Sequence, residues 1–222
     1  MDTYLFIWDF HGTLEKNNVF AVQEIVNKTL KHFDVQREIS LDESIRLYGL
    51  AWVDYFKYMF PSGNDQIWQE MWQQAIAIQT KDRIVEKYIK PNDHAAIVLK
   101  AIQDAGHSNL LLSNTSPEHI RFFTRLVNVD EYFDDYIGLD THSEPREKID
   151  IQEKKAKTIQ QYLEGKHFNK VIKIGDRESD IKAGQAVGAI TYFFRNIFNT
   201  KHHLNIKPDH EISDLRDILK EL

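Results

Sequence analysis

Asp176 and Asp180 stand four residues apart in Gly175-Asp176-Arg177-Glu178-Ser179-Asp180, directly after an apolar run over residues 171–174. If that run is a strand and the residues after it open a helix, both carboxylates face one crevice at the strand's carboxyl end. Such a pair suits a hard dication. Magnesium takes oxygen ligands and keeps several waters, so two or three protein carboxylates suffice. Asp176 or Ser179 alone can be no more than a helix cap, but the pair is harder to explain in that way. A third carboxylate, Asp9, ends the run Tyr4-Leu5-Phe6-Ile7-Trp8 and leads into Phe10-His11-Gly12-Thr13-Leu14. Gly12 permits a tight turn, and the Thr13 hydroxyl can bond a phosphoryl oxygen. Taken alone, this stretch also reads as a turn with a capping aspartate. Ser113-Asn114-Thr115-Ser116, ahead of Pro117, brings hydroxyl, amide and backbone N–H groups to a helix start, an arrangement that binds anions. An ordinary Ser/Thr cap is the more common use of those residue types.

These groups can act together only if the elements behind them deliver them to one edge. Near-continuous apolar runs over 4–8, 109–112, 171–174 and 189–194, with a weaker one over 136–139, have the pattern of strands buried on both faces. Helical patterns over 93–105, 117–127, 150–163 and 179–186 alternate with them, and Gly106 and Gly188 fall where C-terminal caps are expected. Alternation of this kind predicts an α/β fold, a doubly wound, Rossmann-like parallel sheet. Residues 15–90 break the alternation. They show no convincing strand and several amphipathic patterns, among them Ala21, Ile25, Val26 and Leu30, and then Trp52, Phe56 and Met59. The expected organisation is a core of residues 1–14 and 91–222 with a helical insert over 15–90. Trp52, Trp68 and Trp72 are expected to form the insert's own core.

Composition narrows the class. The 222 residues are 42% hydrophobic and 28% charged, as in ordinary globular proteins, and the formal charge of −6 works against a nucleic-acid partner. With no cysteine, disulfides, thiolate catalysis and cysteine-bound metals are excluded, and a reducing cytoplasm is the expected location. No apolar stretch approaches the roughly 20 residues of a spanning helix, so no membrane association is expected. His202, His203 and His210 lie in a polar stretch without zinc-site spacing and are expected at the surface, and Asp134 and Asp135 in a solvated turn. Nothing in the sequence speaks to the oligomeric state.

In combination the three strand-end motifs resemble those of the haloacid dehalogenase superfamily, in its phosphoglycolate-phosphatase-like form with a helical cap inserted after the first motif. The resemblance covers essentially the whole chain: counterparts of the family's Asp-x-Asp-x-Thr, strand-end Ser or Thr, lysine and Gly-Asp-x-x-x-Asp occur in that order, the first with one change. It implies a magnesium-dependent phosphomonoester hydrolase acting on a small phosphorylated metabolite, with Asp9 as the nucleophile that forms an aspartyl-phosphate. Ser113, with Asn114 beside it, corresponds to the phosphoryl-binding position. Asp176 and Asp180 correspond to the metal group, completed by Asp9 and the backbone carbonyl of His11. Lys148 stands where the resemblance places the lysine, although Ile149 follows it in place of the usual proline. Lys154 and Lys155 are alternatives, read first as surface lysines.

One position departs from the pattern. His11 occupies the place of the second aspartate, the usual general acid and base. Imidazole can carry out that proton transfer. The same substitution also fits a metal- or phosphate-binding scaffold of low turnover, and it argues against a phosphomutase. Carbon–halogen or carbon–phosphorus cleavage on the same scaffold is a third reading, and the intact acidic pair works against dehalogenation.

Overall fold

The computed structural model describes residues 3–140, 150–200 and 203–222. The chain divides into two compact units, one of Met1–Lys16, Lys90–Leu139 and Asp150–Leu222, the other built on Asn17–Ile89.

The first unit is a six-stranded, wholly parallel sheet in the order β5-β4-β1-β6-β7-β8. Its strands are β1 (Tyr4–Trp8), β4 (Ser108–Ser113), β5 (Asp135–Gly138), β6 (Lys170–Gly175), β7 (Ile190–Phe194) and β8 (His210–Ile212). Leu5, Phe6, Ile7 and Trp8 are all completely buried, as a central strand covered on both faces requires. The connecting helices are α6 (Ala95–Asp104), α7 (Pro117–Leu126), α8 (Ile151–Leu163) and α9 (Glu178–Ala186). Trp8 pairs with Leu111 on β4 and with Ile174 on β6, so the three carboxyl ends lie within two residues of one another. Asp9, Ser113 and Asp176 therefore emerge side by side where the chain turns to opposite sides of β1, the position at which open α/β sheets bind ligands. Gly106 and Gly188 adopt φ of +80° and +72° after α6 and α9, the left-handed geometry of a helix C-cap.

Two sequence expectations are corrected, and one strand is new. β8 lies in the polar stretch around His210, which is exposed as expected; with three residues, of which only Ile212 is buried, it leaves no periodic signal. Asp135 opens β5 and is exposed at its start. The segment read as strandless has a strand at each end: β2 (Glu15–Lys16) and β3 (Lys90–Pro91) pair antiparallel and belong to the α/β unit. Two residues are too few for alternation to register.

The second unit contains α1 (Asn18–His32), α2 (Leu41–Leu47), α3 (Trp52–Met59), α4 (Asp65–Lys81) and α5 (Ile84–Tyr88). Ala21, Ile25, Val26 and Leu30 of α1 meet Phe56, Met59, Met71 and Ala75 in one apolar cluster, with Trp52, Trp68 and Trp72 packed around it. Two side-chain caps define its helix starts. Asn64 accepts from the Ile67 N–H at 3.0 Å, and Ser40 and Glu43 form a reciprocal capping box. Among the described residues no helix is long and apolar enough to cross a membrane.

Candidate active site

Asp9, Asp176 and Asp180 converge at the carboxyl edge of β1 and β6. Each offers an oxygen, the three lie within 4.8 Å of one another, and the residues are 6%, 3% and 0% exposed. Two glycines make this approach possible. A Cβ on Gly175 would collide with the Asp180 carboxyl, and one on Gly12, whose φ is +84°, would collide with that of Asp176.

Each metal-type carboxylate is held by one oxygen and leaves the other unused. Asp180 Oδ1 accepts from Lys155 Nζ at 2.8 Å and lies 2.8 Å from Lys173 Nζ, whereas Oδ2 is buried with no partner among the described residues. Asp176 Oδ2 accepts from Asn196 Nδ2 at 3.0 Å, and its Oδ1 is likewise buried and unpartnered. Unsatisfied buried carboxylate oxygens are costly. Two of them beside a third carboxylate fit a hard, oxygen-binding dication such as magnesium.

The electrostatics follow from burial and from these pairings. Burial raises Asp9 above the usual carboxylate range, Asp180 adds to the rise, and Lys155 opposes it. Burial also pushes Asp176 up to about 7, with Arg177 opposing. Burial acts in the same direction on Asp180, but the ammonium groups of Lys155 and Lys173 outweigh it and hold this carboxyl at about 2. Lys155 stays charged because Asp180 and Asp9 overcome its desolvation, while burial pulls Lys173 below its ordinary value.

Of Lys154 and Lys155, it is Lys155 that reaches the carboxylates, 3.3 Å from Asp9 Oδ1 and 1% exposed. This corrects its reading as a surface residue. It sits one turn before the buried Ile159, so α8 carries it on the apolar face. Lys154 instead donates to the Leu139 carbonyl at 2.8 Å. Lys148 lies outside the described residues.

Of the phosphoryl-binding candidates, Thr13 is fully buried with its Oγ1 unpartnered among the described residues. The Ser113 hydroxyl, 1% exposed, donates to Thr115 Oγ1 at 3.1 Å and accepts from the Thr115 N–H at 3.2 Å. Asn114 follows, half-buried, in the loop before α7. His11 sits edge-on to Phe10 and Phe123 at 5.1 and 5.0 Å between ring centroids. Its Nδ1 is 3.0 Å from Glu15 Oε1, which also accepts from the Gly12 N–H at 3.0 Å.

Glu15, Lys173 and Asn196 escaped the sequence reading. Glu15 falls within the insert expected over residues 15–90. Lys173 left a usable signal, a lone charge inside the apolar run over residues 171–174. Asn196 left none. Its amide bridges Asp176 to the Gly12 carbonyl, 2.9 Å away, across 184 residues of sequence, while its Oδ1 accepts from the Phe198 and Asn199 N–H groups.

Comparison with known proteins agrees with this layout. Structures of the same fold include a predicted phosphoglycolate phosphatase from Haemophilus somnus, at 17% identity and TM-score 0.76, covering 100% of this chain and 97% of that one. A haloacid dehalogenase-like family hydrolase from Streptococcus pneumoniae aligns at 16% identity and TM-score 0.77, covering 99% and 98%. A predicted phosphatase from Clostridium acetobutylicum aligns at 18% and 0.74, covering 100% and 98%. Among curated proteins, none matches the sequence. The family model for haloacid dehalogenase-like hydrolases matches residues 6–194, from the first strand through β7 and every motif described above, and the chain belongs to that family.

Proposed function

We propose that this protein is a magnesium-dependent phosphomonoester hydrolase acting on a small phosphorylated metabolite through an aspartyl-phosphate on Asp9. The observation that carries this reading is the meeting of Asp9, Asp176 and Asp180, the first and last joined by Lys155, with one unsatisfied oxygen on each of Asp176 and Asp180. Asp9, Asp176, Asp180 and the His11 carbonyl would hold the ion. When bound, magnesium supplies charge neutralisation for the phosphoryl group and its transition state.

The chain's own residues do the rest. The Asp9 carboxylate attacks phosphorus as the bond to the leaving oxygen breaks, which divides one displacement into two. Lys155 holds Asp9 and faces the same charge, while Thr13, Ser113 and Asn114 bind phosphoryl oxygens. With Nδ1 turned to Glu15, His11 Nε2 is the nitrogen left for proton transfer, and a carboxylate that orients an imidazole in this way is a recurring arrangement. His11 gives its proton to the leaving oxygen. It then takes one from the water that attacks phosphorus and releases Asp9 and inorganic phosphate.

The test is hydrolysis of p-nitrophenyl phosphate with and without magnesium, together with a beryllofluoride complex of the protein. Magnesium-dependent turnover and a tetrahedral adduct on Asp9 are expected. Full activity after exhaustive chelation, or an adduct elsewhere, overturns the reading. A screen of phosphorylated metabolites then identifies the ester.

A further inference from the structure

Lys173 has no part in the chemistry just described, yet it is completely buried beside it. A charged group in the interior is costly unless it is paired and hydrogen-bonded. Lys173 Nζ meets both conditions, 2.8 Å from Asp180 Oδ1 and donating to the Ile174 carbonyl at 2.9 Å. The packing makes room for its stem: a Cβ on Gly184 of α9 would lie 2.8 Å from Lys173 Cβ and 3.2 Å from Cγ, too close for an ordinary side chain. Two ammonium groups thus converge on one oxygen of one carboxylate, and Lys155 alone already holds that oxygen. The second cation is redundant for orientation. It is not redundant for charge, since three buried carboxylates face two ammonium groups with Lys173 and only one without it.

We propose that Lys173 is a built-in counter-ion for the acidic cluster, a positioning residue that keeps the three carboxylates together before a cation arrives and moderates how tightly they hold one. The proposal rests on the metal-site reading above only for its second half. Like-charge repulsion among the carboxylates is relieved by whichever cation is present. Lys173 and a dication therefore do overlapping work, and removing one makes the protein lean on the other.

The experiment compares wild type, Lys173→Met and the double variant Lys173→Met/Asp180→Asn by thermal unfolding in chelator and in magnesium, with calorimetric magnesium titration of the first two. In chelator the single variant should unfold well below wild type, and the double variant, which removes both charges, should recover much of the loss. Magnesium should raise the midpoint of Lys173→Met by more than that of wild type, and bind to it more tightly by about tenfold or more. A purely structural lysine gives the opposite pattern: equal loss with and without magnesium, and affinity unchanged or weaker. That result overturns the proposal, as does a double variant no more stable than the single one. If Lys173→Met folds only in magnesium, the proposal stands. If wild type shows neither heat nor midpoint shift with magnesium, the metal reading fails, and the chelator arm alone decides the counter-ion role.

Discussion

Both units carry ion pairs at the surface, such as Lys100 with Asp104 in the α/β unit, but among the described residues only the α/β unit also buries a charge cluster. In the helical unit the ion pairs lie outside. Lys28 meets Asp82 at 2.8 Å with both side chains more than a third exposed, and Lys87 meets Glu24 at 2.7 Å with the lysine 60% exposed. In the α/β unit Asp9, Asp176, Asp180, Lys155 and Lys173 are all at least nine-tenths buried. Surface pairs of the first kind are worth up to about 1 kcal/mol each and restrain helix ends and faces. A buried cluster costs more in desolvation than it returns, unless every member is matched. Here it is not matched, since the negative charges outnumber the positive and two oxygens have no partner among the described residues. The contrast teaches that the buried cluster is poorly explained by stability and well explained by a ligand that completes it.

The largest effect expected to sharpen this contrast is at Asp9. Asp9→Asn should reduce turnover by a factor on the order of 10³ or more. Its unfolding midpoint in chelator should be no lower than that of wild type, because one repelling charge is gone. A variant that loses stability and keeps activity would reverse the argument. Second is His11→Ala, with a fall in turnover of about 10² to 10⁴, roughly 3–5 kcal/mol. Its magnesium affinity should barely change, since the proposed ligand there is a backbone carbonyl. If wild-type turnover is near background and His11→Asp raises it, the low-turnover scaffold is the better description.

Third, Asn196→Ala frees Asp176 Oδ2 and the Gly12 carbonyl together. Calorimetry should show weaker magnesium binding, by about 1–3 kcal/mol; unchanged binding would remove Asn196 from the site's support. Fourth, in the helical unit, Ser40→Ala should lower stability by about 1 kcal/mol without touching activity. Glu43 tests the same cap by pH. The Ser40 backbone N–H, then Arg37, hold its carboxyl at about 2, below its ordinary 4.5. Its stabilising contribution is therefore complete above about 4.5 and is lost as pH falls towards 2, so Glu43→Gln should lack that part of the acid unfolding profile. The smallest effect is at Lys28→Ala, no more than about 1 kcal/mol in a chemical denaturation curve, and smaller still at high salt.

How much of this was legible depended on the range of the interaction. Apolar runs and helical periodicity are local properties, and they located β1, β4, β6, β7 and the helices between them to within a few residues. The strand-end motifs were legible for the same reason, because a carboxylate at the end of a buried parallel strand has only one place to point. From the sequence alone the α/β sheet, the helical unit's own apolar core and the candidates Asp9, Ser113, Asp176 and Asp180 were thereby determined. The tertiary structure decided between Lys154 and Lys155, which differ only in the face of α8 they occupy. It also decided that Asn196 clamps Asp176 across 20 residues and that Lys173 turns inward to Asp180. These contacts are set by how β6, α8, α9 and the loop after β7 pack. No residue's type or spacing encodes a hydrogen bond whose two ends the chain brings together only after the sheet has formed.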